Sequence, residues 1–310
     1  MKSLNNDMDL IKFLRGEELA ALKLRALYGL NGYSGWRMSK FEEYEFYIRN
    51  KDFLVSENVL TFTDVNGKLM ALKPDVTLSI IRHMKDEPDA LRKVFYDENV
   101  YRVSGNAKSF REIKQVGVEC VGAVSELEVS EVILLAAESL KLLAASNAKT
   151  ALNISHLDLI AELLGKLNLD LESQNKIIKF IADKNSHGIK ELCGSDELAR
   201  LINISGSFNE VMPALREIFN NSDNLNNFNK IISNLLSKAP ELEDVLRIDF
   251  AALSDLNYYN GLVFQGFIEG VPARILAGGQ YDKLMRRMGH KSGAVGFAVY
   301  LDMLERGVRQ

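Results

Sequence analysis

Cysteine is scarce in this chain. Cys120 and Cys193 are the only two among 310 residues, and no metal-ligand spacing involves them. That argues against a disulfide framework and for a reduced, cytosolic setting. Long hydrophobic runs are missing as well. The most apolar stretch, Val132 to Ala137, falls far short of the roughly 20 residues that span a bilayer. Nothing resembling an apolar signal core follows the polar start Met1-Lys2-Ser3-Leu4-Asn5-Asn6-Asp7, so a soluble, cytoplasmic protein without a membrane partner is expected. Excess charge is also lacking: 38 Lys and Arg stand against 42 Asp and Glu, a net of −4. No basic stripe interleaved with aromatics appears, which makes tRNA an unpromising partner. Neither a Gly-x-Gly-x-x-Gly nor a Gly-x-x-x-x-Gly-Lys-Ser/Thr element occurs, so no dinucleotide or P-loop cofactor site is read. His83, His156, His187 and His290 are scattered, and neither a metal site nor a catalytic histidine is assigned.

What is present is ordinary globular composition, 47% hydrophobic and 26% charged, over a length that suggests about two structural units. Leu10 to Leu30 carries apolar residues at helical spacing, closed by Asn31-Gly32. Val59–Asp64 and Lys68–Lys73 flank Val65-Asn66-Gly67, a strong hairpin signal. Pro74 ends the second strand, and Asp75 to Met84 reads as a helix. Lys93–Tyr101 and Lys114–Gly122 read as strands around the polar loop Ser104–Ser109, followed by a helix over Glu126–Ala145. From Thr150 to Pro240 a short strand, Ala151–Ile154, gives way to a string of helices. Strands return at Val245–Leu253, Leu262–Ile268 and Ala273–Ala277, with a final helix expected from Phe297 to Arg306. Strands that surround a helical insertion predict an α+β fold with a largely antiparallel sheet flanked by helices. The expected division is 1–149, a mainly helical insertion over 150–240, and a resumed core over 241–310.

Three ordered stretches carry a family likeness. Leu72-Lys73-Pro74-Asp75-Val76-Thr77 follows the hairpin; Val100-Tyr101-Arg102 is followed by Gln115-Val116-Gly117-Val118-Glu119; Asn257-Tyr258-Tyr259-Asn260-Gly261 precedes Ala277-Gly278-Gly279-Gln280-Tyr281-Asp282. With the terminal Gly293-Ala294-Val295-Gly296-Phe297-Ala298, this set resembles the histidyl branch of the class II aminoacyl-tRNA synthetases. The resemblance implies a class II synthetase-like antiparallel sheet and a histidine-like ligand pocket. Its expected lining is Asp75, Thr77, Arg102, Gln115, Glu119, Tyr258, Tyr259, Gly278, Gly279 and Tyr281. The chemistry suits a small cationic or zwitterionic ligand. Asp75 and Glu119 offer carboxylates, Thr77 and Gln115 neutral hydrogen bonds, and the tyrosines flat walls with polar tips. Gly278 and Gly279 are expected to let backbone approach a ligand.

Departures from the synthetase pattern are as informative. Ser104 stands where the family reads adenine with a glutamate, Ser254 and Met303 stand where it has arginines, and Tyr300 replaces a glycine that leaves room for ATP. One lost contact to developing charge costs about 10²–10³ in rate, and two such losses leave adenylation too slow to be useful. No anticodon-reading domain is expected after the third signature. This profile resembles the regulatory subunits of the short-form ATP phosphoribosyltransferases of histidine biosynthesis. Membership there implies a non-catalytic chain that activates a separate short catalytic subunit, self-associates as a dimer within a hetero-octamer, and helps transmit inhibition by histidine. The alternative is an amino-acid-activating paralogue that forms histidine adenylate without reading tRNA.

Overall fold

The structure, a computed structural model, describes residues 11–54, 59–103, 109–251 and 258–308. Helix α1 (Gly16–Leu30) starts later than its apolar periodicity suggests, because Arg15 and Glu18 close a capping box there. Asn31 caps its end and Gly32 turns the chain at φ +84°. Ala20, Ala21, Leu24 and Tyr28 form its buried stripe. After β1 (Ser34–Gly35), strand β2 (Phe41–Glu43) and helix α2 (Tyr44–Arg49) lead to the hairpin β3 (Thr61–Thr63) and β4 (Leu69–Leu72). Gly67 supplies the positive φ of the turn, and Asp64 accepts the N–H groups of Asn66 and Lys68. The three strands form a small sheet, β2-β4-β3. Helix α3 (Val76–His83) is capped by the Asp75 carboxylate, which accepts the Leu78 N–H at 2.9 Å.

The long strands β5 (Leu91–Val103) and β6 (Phe110–Gly122) pair antiparallel over their whole length, and α4 (Glu126–Leu143) opens with a Ser125/Glu128 capping box. Strand β7 (Thr150–His156) precedes the helices α5 (Leu157–Gly165), α6 (Leu171–Ala182), α7 (Ser186–Cys193) and α8 (Asp196–Leu201). The two-residue β8 (Ser205–Gly206), α9 (Phe208–Ile218) and α10 (Asp223–Lys238) follow. The chain closes with β9 (Leu246–Asp249), β10 (Asn260–Ile268), β11 (Leu276–Gln280), α11 (Asp282–Arg287), β12 (Gly293–Tyr300) and α12 (Leu301–Val308). Among the described residues nine strands make one sheet in the order β1-β5-β6-β12-β11-β10-β7-β9-β8. Its centre is antiparallel throughout, and only the flanking pairs β1/β5 and β7/β9 are parallel.

Several boundaries differ from the sequence expectation, three of them near the C-terminal strands. Strand β12 runs to Tyr300, so the last helix begins at Leu301 and not at Phe297. Paired on both sides, by β6 and β11, this strand buries both faces and reads as a continuous apolar run without a diagnostic period. Strand β11 lies at Leu276–Gln280, shifted from Ala273–Ala277, and β9 stops at Asp249 where the sequence suggested strand to Leu253. Residues 150–156, grouped by sequence with the helical segment, pair with β10 along the whole of β7. The helices that follow carry the chain across to β9, which joins β7 in parallel, a connection that needs a long crossover. Helix α10 lies along α4, and one continuous apolar core joins Leu24 and Val118 of the sheet side to Phe228 and Leu235 of the helical side.

Candidate functional site

Strand alternation sets the first wall of the site. Along β6, Val116, Val118 and Cys120 point into the main core, while Gln115, Gly117 and Glu119 turn to the opposite face. Two glycines keep that face open. A Cβ on Gly117 would fall 2.5 Å from the Tyr96 hydroxyl, and one on Gly296 would fall 1.8 Å from Oε2 of Glu119. The start of α3 adds Asp75 and Thr77 from one side, β5 adds Tyr96 and Arg102, and Tyr258, Tyr259 and Tyr281 close the other side.

These residues surround a cavity of about 50 Å³, lined by Asp75, Thr77, Tyr96, Arg102, Gln115, Glu119, Tyr258, Tyr259, Tyr281 and Tyr300, among others. That is room for on the order of three waters, so a larger guest must displace side chains. The partly exposed Arg102, Tyr259 and Tyr300 stand at its mouth.

Glu119 is the electrostatic centre. It is 1% exposed and accepts hydrogen bonds from Thr77 Oγ1 and Tyr281 OH, each at 2.6 Å. Burial pushes its carboxyl up to about 8; the two hydroxyl bonds oppose that shift and nearby Asp75 adds to it. Asp75 is also raised by burial, against the pull of Arg102, whose Nη2 lies 3.5 Å from Oδ2. The same guanidinium donates Nε–H to the Pro74 carbonyl at 2.8 Å. Tyr258 stacks obliquely on Tyr259 at 4.6 Å and stands 6.0 Å from Tyr281. Burial pushes all three phenols well above their ordinary value, so they are neutral, and the Tyr281 hydroxyl donates to Glu119.

The structure therefore brings together Asp75, Thr77, Arg102, Gln115, Glu119, Tyr258, Tyr259 and Tyr281. Gly278 and Gly279 are a correction. Both lie in β11 under packed neighbours and do not line the cavity. A Cβ on Gly278 would sit 2.4 Å from Cβ of Phe297, and one on Gly279 would sit 2.9 Å from Cδ1 of Tyr259. Their smallness admits these neighbouring backbone and side-chain atoms. Met303 is half-buried on α12, away from the cavity lining, whereas Tyr300 is part of that lining. Ser104 and Ser254 lie outside the described residues. Tyr96, Gly117 and Gly296 were not assigned to the site from sequence. The available signal was glycine inside strand patterns, which marks a close approach.

A mainly antiparallel sheet whose central strands carry a buried polar constellation fits the core of a class II synthetase-like protein. The family model described as histidyl-tRNA synthetase matches residues 7–304, and the chain belongs to that family. Among curated relatives it is 29% identical over 305 residues to an ATP phosphoribosyltransferase regulatory subunit of Clostridium novyi (strain NT), covering 93% of this chain and 71% of that one. It is 28% identical over 304 residues to a histidine–tRNA ligase of Methanococcus vannielii, covering 94% and 72%. Of solved structures, a regulatory subunit/histidyl-tRNA synthetase from Bacillus halodurans C aligns with a TM-score of 0.80 at 22% identity, over 99% of this chain and 81% of that one. A chain of the ATP phosphoribosyltransferase complex from Thermotoga maritima aligns at 0.72 and 21%, over 93% and 98%. At these identities the structural likeness speaks for the fold. No helix among the described residues is long and apolar enough to cross a membrane.

Proposed function

We propose that this chain is a non-catalytic regulatory subunit of a short-form ATP phosphoribosyltransferase, which activates the catalytic subunit and takes part in its inhibition by histidine. The observation that carries this reading is the presence of Tyr300 and Glu119 in one cavity. The polar set suited to an amino acid is kept, while a tyrosine ring occupies the position where synthetases hold a glycine to admit ATP. Arg102 points the same way. Engaged by the Pro74 carbonyl and Asp75, it helps to hold the wall of this polar pocket. The names of several relatives, at 26–29% identity, support the assignment. A pocket of this kind senses an effector if the effector binds two conformations of the assembly with different affinity. The same reading places the chain as a dimer within a hetero-octamer.

The test is ATP phosphoribosyltransferase activity of the short catalytic chain from the same organism, with and without this protein, followed by histidine titration. Activity that appears on mixing and falls with histidine is the expected result. Unchanged activity would remove the proposal. The histidine–tRNA ligase among the relatives keeps one other reading in view, histidine adenylation, and histidine-dependent pyrophosphate exchange discriminates it.

A further inference from the structure

The sequence holds three Asn-Gly pairs, Asn31-Gly32, Asn66-Gly67 and Asn260-Gly261. Such a pair carries its own chemistry, because a glycine without Cβ lets its backbone nitrogen reach the preceding side-chain carbonyl carbon. The fold treats the three differently. Asn260 is 8% exposed and both ends of its amide are held: Nδ2 donates to Asp282 and Oδ1 accepts the Lys283 N–H, each at 3.1 Å. Its glycine is closely packed as well, since a Cβ on Gly261 would fall 2.4 Å from Oε1 of Gln280. Asn31 is exposed, but its Nδ2 donates to the Leu27 carbonyl at 2.9 Å, and its own N–H and that of Gly32 are tied into the end of α1.

Asn66 sits at the tip of the β3–β4 hairpin, where Val65, Asn66, Gly67 and Lys68 are all exposed. Nothing lies within 4 Å of a Cβ placed on Gly67. Asp64 orders this turn. Its Oδ1 accepts the N–H groups of Asn66 and Lys68, each at 2.8 Å, and its carbonyl accepts the Gly67 N–H at 3.1 Å. None of these bonds involves the Asn66 side-chain amide. Opening an exposed turn costs little free energy, and each opening releases the Gly67 nitrogen.

We infer that Asn66 is a self-modification site, at which the chain converts a neutral amide into an acid with water as the only co-reactant. The Gly67 nitrogen attacks Cγ of Asn66, a new N–Cγ bond closes a succinimide ring, and the Cγ–Nδ2 bond breaks. Ammonia leaves with the proton that the Gly67 nitrogen gives up. Water then adds to either ring carbonyl and reopens the ring as aspartate or isoaspartate. Both products place a carboxylate beside Asp64, and isoaspartate also lengthens the backbone of the turn by one methylene. Like charge and added length both act against the bonds that Asp64 makes there.

The test is to hold the whole chain at neutral pH, map its peptides by mass spectrometry over time, and label isoaspartate by enzymatic methylation. Asn66 is expected to convert at least ~10-fold faster than Asn31 or Asn260, a barrier difference of about 1.4 kcal/mol, with isoaspartate among the products. In urea the three pairs should converge to rates less than about tenfold apart, because the contacts that separate them are gone. Equal rates in the folded chain overturn the inference. So does aspartate without isoaspartate, the mark of direct hydrolysis, and so does the same ranking in urea, which would assign the selectivity to local sequence and not to the fold. Asn66→Gln, whose longer side chain cannot close the same ring, should abolish the isoaspartate signal of this peptide, and its persistence counts against the assignment.

Discussion

In the helices between Leu157 and Lys238 the buried side chains are overwhelmingly apolar, and the polar groups work at the ends. Asp170, Asn185, Ser195 and Ser222 cap α6, α7, α8 and α10 by accepting backbone N–H groups, while Ile177, Leu215, Phe228 and Ile232 fill the interior. Around the pocket the arrangement is inverted. Asp75, Gln115 and Glu119 are themselves buried, and glycines at 117 and 296 make the room they need. The first region is held by area removed from water, which is non-directional and tolerant of small shifts. The second depends on each polar atom finding a specific partner, because an unpaired buried group is expensive. A site for chemistry or sensing belongs in the second kind of environment, where one added charge changes the balance.

Four experiments sharpen the contrast. The largest effect is expected in the helical region. Phe228 is fully buried and packs edge-on against His156 and Phe208, so Phe228→Ala should cost about 4 kcal/mol in urea denaturation while leaving ligand affinity of the folded protein intact. Loss of affinity in the folded variant would show that the two regions are coupled.

The second concerns Glu119. Its value in the fold, about 8, lies above that of an unfolded glutamate, so its favourable contribution is complete at low pH and is lost as pH rises through 8. Stability of the unliganded chain should fall by up to ~1 kcal/mol per pH unit between about pH 5 and 8, about 3 kcal/mol in all, and Glu119→Gln should flatten that slope. Parallel profiles for the two proteins would refute it.

His156 carries the opposite sign. Burial lowers it to about 4, with Asp158 opposing, so the unfolded chain takes up a proton that the fold refuses. Stability should decline by about 3 kcal/mol as pH falls from 6.5 to 4, a loss absent in His156→Gln when the two are titrated side by side. The smallest change tests a cap. Ser222 accepts the Leu225 N–H and donates to Glu162, and Ser222→Ala should cost about 1 kcal/mol by thermal denaturation.

Legibility in the sequence follows the same divide. The hairpin at Asn66-Gly67 was readable because a tight turn between strands needs positive φ, which glycine supplies. Helix α4 was readable from its periodicity, and its Ser125/Glu128 box marks the start. Eight of the ten pocket residues taken from the family likeness line one cavity, although Asp75 and Tyr281 are some two hundred residues apart. Gly278 and Gly279 were misplaced because a glycine's pattern says that something comes close, without saying whether it is a ligand or a neighbouring ring. Tyr96 escaped because a tyrosine in a strand has no signature that separates core from pocket wall.

By itself the sequence determined the local structure and the chemical inventory: capped helices, a hairpin, an ordered family signature, and two carboxylates among tyrosines. Those follow from short-range sterics and from residue identity. Only the tertiary structure decided that β12 is a strand, that Thr150–His156 belongs to the main sheet, and that Arg102 serves Asp75 while Glu119 lacks a cation among its described neighbours. Pairing across a sheet and the neighbours of a buried charge are set by residues distant in the chain, and no local pattern encodes them.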